Sequence, residues 1–86
     1  MTLKPNEEII WRKTDEEIVL LNKTSGWYYS LDKIGSEIWL MLNQNKSLEK
    51  IAASIAKKYG ITQQKALKDT NDLIKNLKKE KILSEK

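Results

Sequence analysis

The densest cluster of groups able to move a proton is Asp15-Glu16-Glu17, three carboxylates in a row. Acid–base chemistry of the glycoside type needs two carboxyl groups held about 5 to 9 Å apart across a cleft. Three consecutive residues in a polar break read instead as a solvated turn. The chain has no histidine and no cysteine. It therefore lacks the commonest general base, the usual partner of a catalytic serine, a thiolate nucleophile and the common zinc ligands. Gly26, Gly35 and Gly60 stand too far apart to form a phosphate-cradling loop. No catalytic residue, metal site or cofactor is expected, and the chain reads as a non-enzyme.

What remains is the chemistry of the main chain. Thr24-Ser25-Gly26-Trp27-Tyr28-Tyr29-Ser30-Leu31-Asp32 puts three aromatics in a row after a turn and before a helix start. Aromatic residues in a strand supply buried area to a small core, and that accounts for much of Trp27, Tyr29 and Leu31. The strand's backbone is a separate matter. It is last of its set, so one edge lacks a partner, and an open edge is an aggregation hazard unless it is covered or used. An extended peptide can add there as a further strand, with main-chain bonds giving affinity and alternate side chains entering pockets.

The elements that position this strand follow from periodicity. Glu8–Arg12, Glu17–Leu21 and Trp27–Leu31 read as three short antiparallel strands, with Asn22–Gly26 as a tight reversal. Because side chains alternate along a strand, Trp27, Tyr29 and Leu31 share a face, placed toward the helices, and Tyr28 and Ser30 the other. Asp32, Ser47 and Thr62 are predicted caps for three helices, and Gly60 a left-handed stop. Ile34, Ile38, Trp39, Met41 and Leu42 form the apolar face of the first helix. Leu48, Ile51, Ala52, Ile55 and Ala56 do so for the second. In the third, Ala66, Thr70, Leu73 and Leu77 are expected inside, with Leu67, Asn71, Ile74 and Lys78 on the shoulder. Ile82 and Leu83 are expected to fold the chain end back onto the core. If Ile74 lies at a groove, Ile74→Glu should weaken binding with little loss of fold.

Length and charge bound the partners. Eighty-six residues make one domain, 1–86. No apolar run approaches the roughly 20 residues that cross a bilayer, and the polar start is unlike a signal peptide, so a cytoplasmic protein without membrane contact is expected. The net charge is +4. Residues 1–45 carry five basic and seven acidic groups, and residues 46–86 eleven and five, so the excess lies in the second half. Such asymmetry suits an acidic partner, although a solvated helical surface is the commoner explanation for lysine-rich helices. Lys68, Lys75, Lys78 and Lys79 would rim a groove beside the third helix. Three capped helices also suit a winged-helix DNA reader, with Gln63 and Gln64 entering the major groove. Only one of the sixteen basic residues is arginine, however, and arginine is the better phosphate and guanine clamp, so no nucleic-acid partner is expected.

The run Val19–Trp39 resembles the PqqD-like family, in which an apolar strand and a Thr/Gly turn precede two aromatics, Leu-Asn and a helix bearing Gly and an Ile-Trp-like pair. Tyr28-Tyr29, Leu31, Gly35 and Ile38-Trp39 fit, and Asp32 stands where Asn is usual. Ser47–Ala52 and Tyr59-Gly60-Ile61 resemble the later parts, so the likeness spans about residues 8 to 83. It implies an α+β, winged helix-turn-helix-like fold, a three-stranded antiparallel sheet followed by three helices, without a cofactor. It implies that a precursor's leader peptide adds along the aromatic strand against the third helix. Trp27, Tyr28, Tyr29, Ser30 and Leu31 would contact it from the strand, and Leu67, Asn71, Ile74, Lys75 and Lys78 from the helix. The implied partners are a leader peptidase and a cyclase or other modifying enzyme, as for discrete leader-binding proteins of lasso-peptide pathways. The peptide chaperone of pyrroloquinoline quinone biosynthesis, which serves a radical-SAM enzyme, is the alternative within the family.

Overall fold

The computed structural model describes residues 3–85. Met1, Thr2 and Lys86, which belong to the single domain expected over 1–86, lie outside the described residues. The order is β1 (Leu3–Pro5), β2 (Ile9–Lys13), β3 (Ile18–Asn22), β4 (Tyr28–Leu31), α1 (Lys33–Asn43), α2 (Leu48–Tyr59), α3 (Gln63–Lys79) and β5 (Leu83–Glu85). Strands β2, β3 and β4 form an antiparallel sheet in that order, and the three helices follow it, the expected α+β arrangement. The strands sit about one residue later than the sequence places them. Thr14 N–H donates to the Glu17 carbonyl at 2.8 Å, which closes the β2–β3 turn on the pair Lys13↔Ile18. In the next turn the Asn22 side chain accepts from the Thr24 and Ser25 amides, and Gly26 takes a φ of +79°.

The helix starts are those the sequence marks. Asp32 Oδ1 accepts from Gly35 N–H at 2.7 Å, Ser47 Oγ from Lys50 N–H and Thr62 Oγ1 from Lys65 N–H. Their ends share one device. Asn45, Gly60 and Lys81 each adopt left-handed φ, near +60°. The following amides, of Lys46, Ile61 and Ile82, then donate back to the Met41, Ala56 and Leu77 carbonyls. This satisfies the terminal carbonyls that a helix otherwise leaves open. Only one of the three positions is glycine.

The core lies between the inner sheet face and the helices. Ile18, Leu20, Leu31, Ile38, Trp39, Ile51, Ile55, Ala66, Ile74, Leu77, Ile82 and Leu83 are all buried in it. Trp11 stands edge-on to Trp39, with ring centroids 6.3 Å apart. In α3 the inner set is Ala66, Thr70, Ile74 and Leu77, while Leu73 is only half-buried. The expected assignment of Leu73 inside and Ile74 on the shoulder is therefore reversed. Both sets satisfy the 3.6-residue period, and the roll of the helix against its neighbours decides between them. At 6% exposure Ile74 belongs to the core, so Ile74→Glu would bury a carboxylate rather than probe a surface.

Strands β1 and β5 carry no sequence signal of their own. They pair antiparallel, Pro5↔Leu83 and Leu3↔Glu85. Asn6 locks this junction: its N–H donates to the Ile82 carbonyl, its side-chain amide donates to the Lys81 carbonyl, and Ser84 Oγ donates to its Oδ1. Ile82 and Leu83 do return to the core as expected, and two strands hold them there.

Candidate functional site

Strand β4 is an edge. Its inner side pairs with β3, and among the described residues no strand pairs with its outer side. Asn22 N–H donates to the Trp27 carbonyl at 2.8 Å, which marks that pair as one that bonds across the ladder. Bonding and non-bonding pairs alternate in an antiparallel ladder. With the register Leu21↔Tyr28, Leu20↔Tyr29, Val19↔Ser30 and Ile18↔Leu31, Tyr29 and Leu31 turn their main-chain groups toward β3. Tyr28 and Ser30 turn theirs outward. The free lane thus offers two N–H donors and two carbonyl acceptors.

The side chains follow the same alternation. Leu31 is buried and Tyr29 half-buried on the inner face, where Trp27 leans on Tyr29 with ring centroids 5.8 Å apart. Trp27 itself precedes β4 and is 39% exposed. Tyr28 is 67% exposed on the outer face, in one cross-strand row with Leu21 and Ile10, which are also exposed. Tyr29 and Leu31 therefore share the face toward the helices, as expected, while Trp27 is exposed ahead of the strand and touches that face through its contact with Tyr29.

The far end of the lane is held by a residue the sequence reading passed over. Ser36 is buried, accepts from Ile18 N–H at 2.8 Å and donates from Oγ to the Leu31 carbonyl at 3.2 Å. Its hydroxyl sits between the last paired residues of β3 and β4 and fixes the sheet to α1. The signal available was a serine four residues after the Asp32 cap, on the apolar side of the helix. Gly35 leaves room for the cap beside it: a Cβ there would lie 3.1 Å from Asp32 Oδ1, so the capping carboxylate would have to give by a few tenths of an ångström.

Of the α3 candidates, Ile74 is buried, Leu67 and Lys78 are half-buried, and Asn71 and Lys75 are exposed. Leu31 and Ile74 belong to one buried cluster, against which Tyr29 and Leu67 pack, so the strand and helix candidates border the same core. Lys65 and Lys68 are paired within the helix, to Asp69 at 3.5 Å and to Asp72 at 3.0 Å, and the Asp72 contact raises the Lys68 ammonium. A cavity of about 260 Å³ lies between α1 and α2, lined by Leu40, Met41 and Ile55 and by no residue of β4 or α3. At its edge Glu37 accepts from Lys58 and from the Tyr59 hydroxyl. Burial pushes the Glu37 carboxyl up, but these two bonds outweigh it and hold the group below its ordinary value. The same contact pushes the Tyr59 phenol up to about 12. Among the described residues no group of acidic side chains could hold a metal ion, and no helix is long and apolar enough to cross a membrane.

An open aromatic edge strand leading through an Asp cap into a Gly-Ser helix start is the arrangement that the sequence likeness implies. Residues 17–83 match the profile of the family described as coenzyme PQQ synthesis protein D (PqqD). The chain belongs to the PqqD family. No curated protein in the comparison matches it significantly. Two solved structures superpose on this PqqD-family chain almost end to end. TbiB1 in complex with the TbiA(beta) leader peptide has a TM-score of 0.88 at 29% identity, over 96% of each chain. A lasso peptide synthetase B1 complexed with its leader peptide has a TM-score of 0.93 at 25% identity, over 99% of this chain and 100% of the other.

Proposed function

We propose that this protein is a non-catalytic recognition element that binds the leader peptide of a ribosomally made precursor by strand addition to β4. The observation that carries the reading is the outward lane of Tyr28 and Ser30 at an uncovered, aromatic sheet edge. Main-chain pairing supplies affinity there with little demand on guest sequence, and apolar anchors in the strand–helix groove add selectivity. Trp27, Tyr28, Tyr29, Ser30 and Leu31 line the guest on one side. Leu67, Asn71, Ile74, Lys75 and Lys78 do so on the other, with Ile74 as part of the floor rather than the rim.

Family membership alone admits the chaperone of pyrroloquinoline quinone biosynthesis. Near-complete superposition on two chains solved with a leader peptide, one of them a lasso peptide synthetase B1, favours a lasso-type pathway. In that setting the protein works in the cytoplasm without a cofactor and hands the bound precursor to a leader peptidase, a cyclase or another modifying enzyme. Titration with a labelled leader from the precursor encoded beside its gene tests the reading. Saturable binding that is lost when the outward lane is blocked is expected, and absence of binding to a folded protein refutes it.

A further inference from the structure

The sheet has a second open margin. Strand β2 lies at the opposite edge from β4, and among the described residues no strand pairs with its outer side. Lys23 N–H donates to the Glu8 carbonyl at 2.9 Å, and Thr14 N–H to the Glu17 carbonyl at 2.8 Å. These two bonds bracket the register Ile10↔Leu21 and Arg12↔Val19. By the alternation of the ladder, Glu8, Ile10 and Arg12 turn their main-chain groups toward β3, and Ile9, Trp11 and Lys13 turn theirs outward. The Ile9 N–H is taken by the Asn6 carbonyl, which leaves the Ile9 carbonyl and both groups of Trp11 and Lys13 open. Every side chain from Ile10 to Lys13 is exposed.

An exposed edge invites pairing with another chain, and charged side chains guard many edges against it. Charges of one sign would do so here, but those of β2 are of two signs and ordered. Glu8 and Arg12 flank Ile10 on the outer sheet face, all three exposed. Neither charge makes an ion pair among the described residues. Let β2 meet the β2 of a second copy antiparallel, with the two-fold axis at Ile10. Glu8 then falls opposite the partner's Arg12 on each side of the axis. Ile10 opposes the partner's Ile10, and the outward Trp11 N–H meets the partner's Ile9 carbonyl, twice by symmetry. Neighbouring registers lose this match: an axis at Trp11 sets Arg12 against the partner's Ile10, and one at Arg12 sets the two arginines face to face. Opposite charges directly across a ladder stabilise it, and like charges do the reverse.

The apolar groups agree with the charges. Ile10 ends the exposed cross-strand row Ile10, Leu21 and Tyr28. Two copies joined at Ile10 continue that row unbroken from one sheet into the other. We propose that β2 is a self-association edge, through which two copies of this chain join into one continuous sheet of order β4-β3-β2-β2-β3-β4. The interface is isologous, the same strand serving on both sides. Both β4 lanes stay at the outer margins, so the pair presents two guest edges that face away from each other. The inference is independent of what binds to β4.

Analytical ultracentrifugation over rising protein concentration reads the association. The wild-type mass should climb from 10.0 kDa toward twice that value. Glu8→Arg and Arg12→Glu, both at exposed positions, should each keep the fold in urea denaturation. Each should weaken self-association about tenfold, since both attractions across the axis become repulsions. Mixed in equal amounts, the two variants should pair with each other to within about threefold of wild type, because one then carries only basic and the other only acidic groups at the two positions. Ser30→Pro, which closes the β4 lane, should leave the pair intact. A mass that stays at 10.0 kDa up to the solubility limit overturns the proposal. So does a dimer indifferent to both charge reversals, a mixture that fails to recover, or a dimer lost in Ser30→Pro, which would put the contact on β4.

Discussion

Ser30→Pro separates the outward lane from the rest of the fold. The Ser30 side chain is exposed on the outer sheet face, and its main-chain groups point away from β3 by the register of the ladder. Proline therefore removes a donor that the folded chain does not use internally. Tyr29 before it is already in strand conformation, the conformation a following proline favours. Edge strands tolerate proline on their open side. Stability should change by less than about 1 kcal/mol, since lost φ freedom in the native strand is offset by lost freedom in the unfolded chain. Binding should suffer far more. One hydrogen bond is lost, worth about 0.5–1.5 kcal/mol, and a guest carbonyl is left buried without a partner, at about 1–3 kcal/mol. A combined loss of about 1.5–4.5 kcal/mol weakens the complex roughly 10- to 1,600-fold. Ser30→Ala, which keeps the N–H, should bind within about threefold of wild type. Fluorescence anisotropy with a labelled leader measures the binding, and urea denaturation of the same samples measures the fold. A folded Ser30→Pro protein that binds like wild type refutes the argument.

Three further outcomes are expected. Ser36→Ala strands the Ile18 N–H and the Leu31 carbonyl, so it should cost about 2–3 kcal/mol in chemical denaturation; a change under about 0.5 kcal/mol contradicts the bridge. Lys81 holds a φ of +60° that glycine adopts without strain, so Lys81→Gly should stabilise by about 0.5–1 kcal/mol, and destabilisation would speak against the helix-stop geometry. The Glu37–Tyr59 contact should respond to pH at both ends of the range. Tyr59 has its phenol raised from 10.0 to about 12, so its contribution is full below 10 and is lost as pH climbs toward 12. Glu37 is lowered from 4.5, so its contribution is present above that value and lost as pH falls through the lower folded one. The stability difference between wild type and Tyr59→Phe should therefore narrow at both extremes, and a difference flat across pH would contradict the pairing.

The parts of this fold set by local rules were legible before any coordinates. Asp32, Ser47 and Thr62 cap helices because their side-chain oxygens accept nearby amides, and Gly60 stops one because it alone enters left-handed space without strain. The alternation Trp27, Tyr29, Leu31 against Tyr28, Ser30 follows from the pleat. What failed to show depends on distant partners. The β1–β5 pair joins residues about eighty positions apart through three-residue strands, one of which contains Pro5. The exchange of Leu73 and Ile74 turns on the roll of α3, since either residue satisfies the period and the hydrophobicity. Ser36 was hidden because a serine on the inner side of a helix reads as a flaw in the apolar stripe until its two partners are seen.

Amide hydrogen exchange at β4 tests the central claim most directly. In the free protein the Tyr28 and Ser30 amides should exchange fast while those of Tyr29 and Leu31 are protected, and addition of the leader peptide should slow Tyr28 and Ser30 selectively. Protection of Tyr28 and Ser30 without peptide, or fast exchange that persists in a saturated complex, would contradict it.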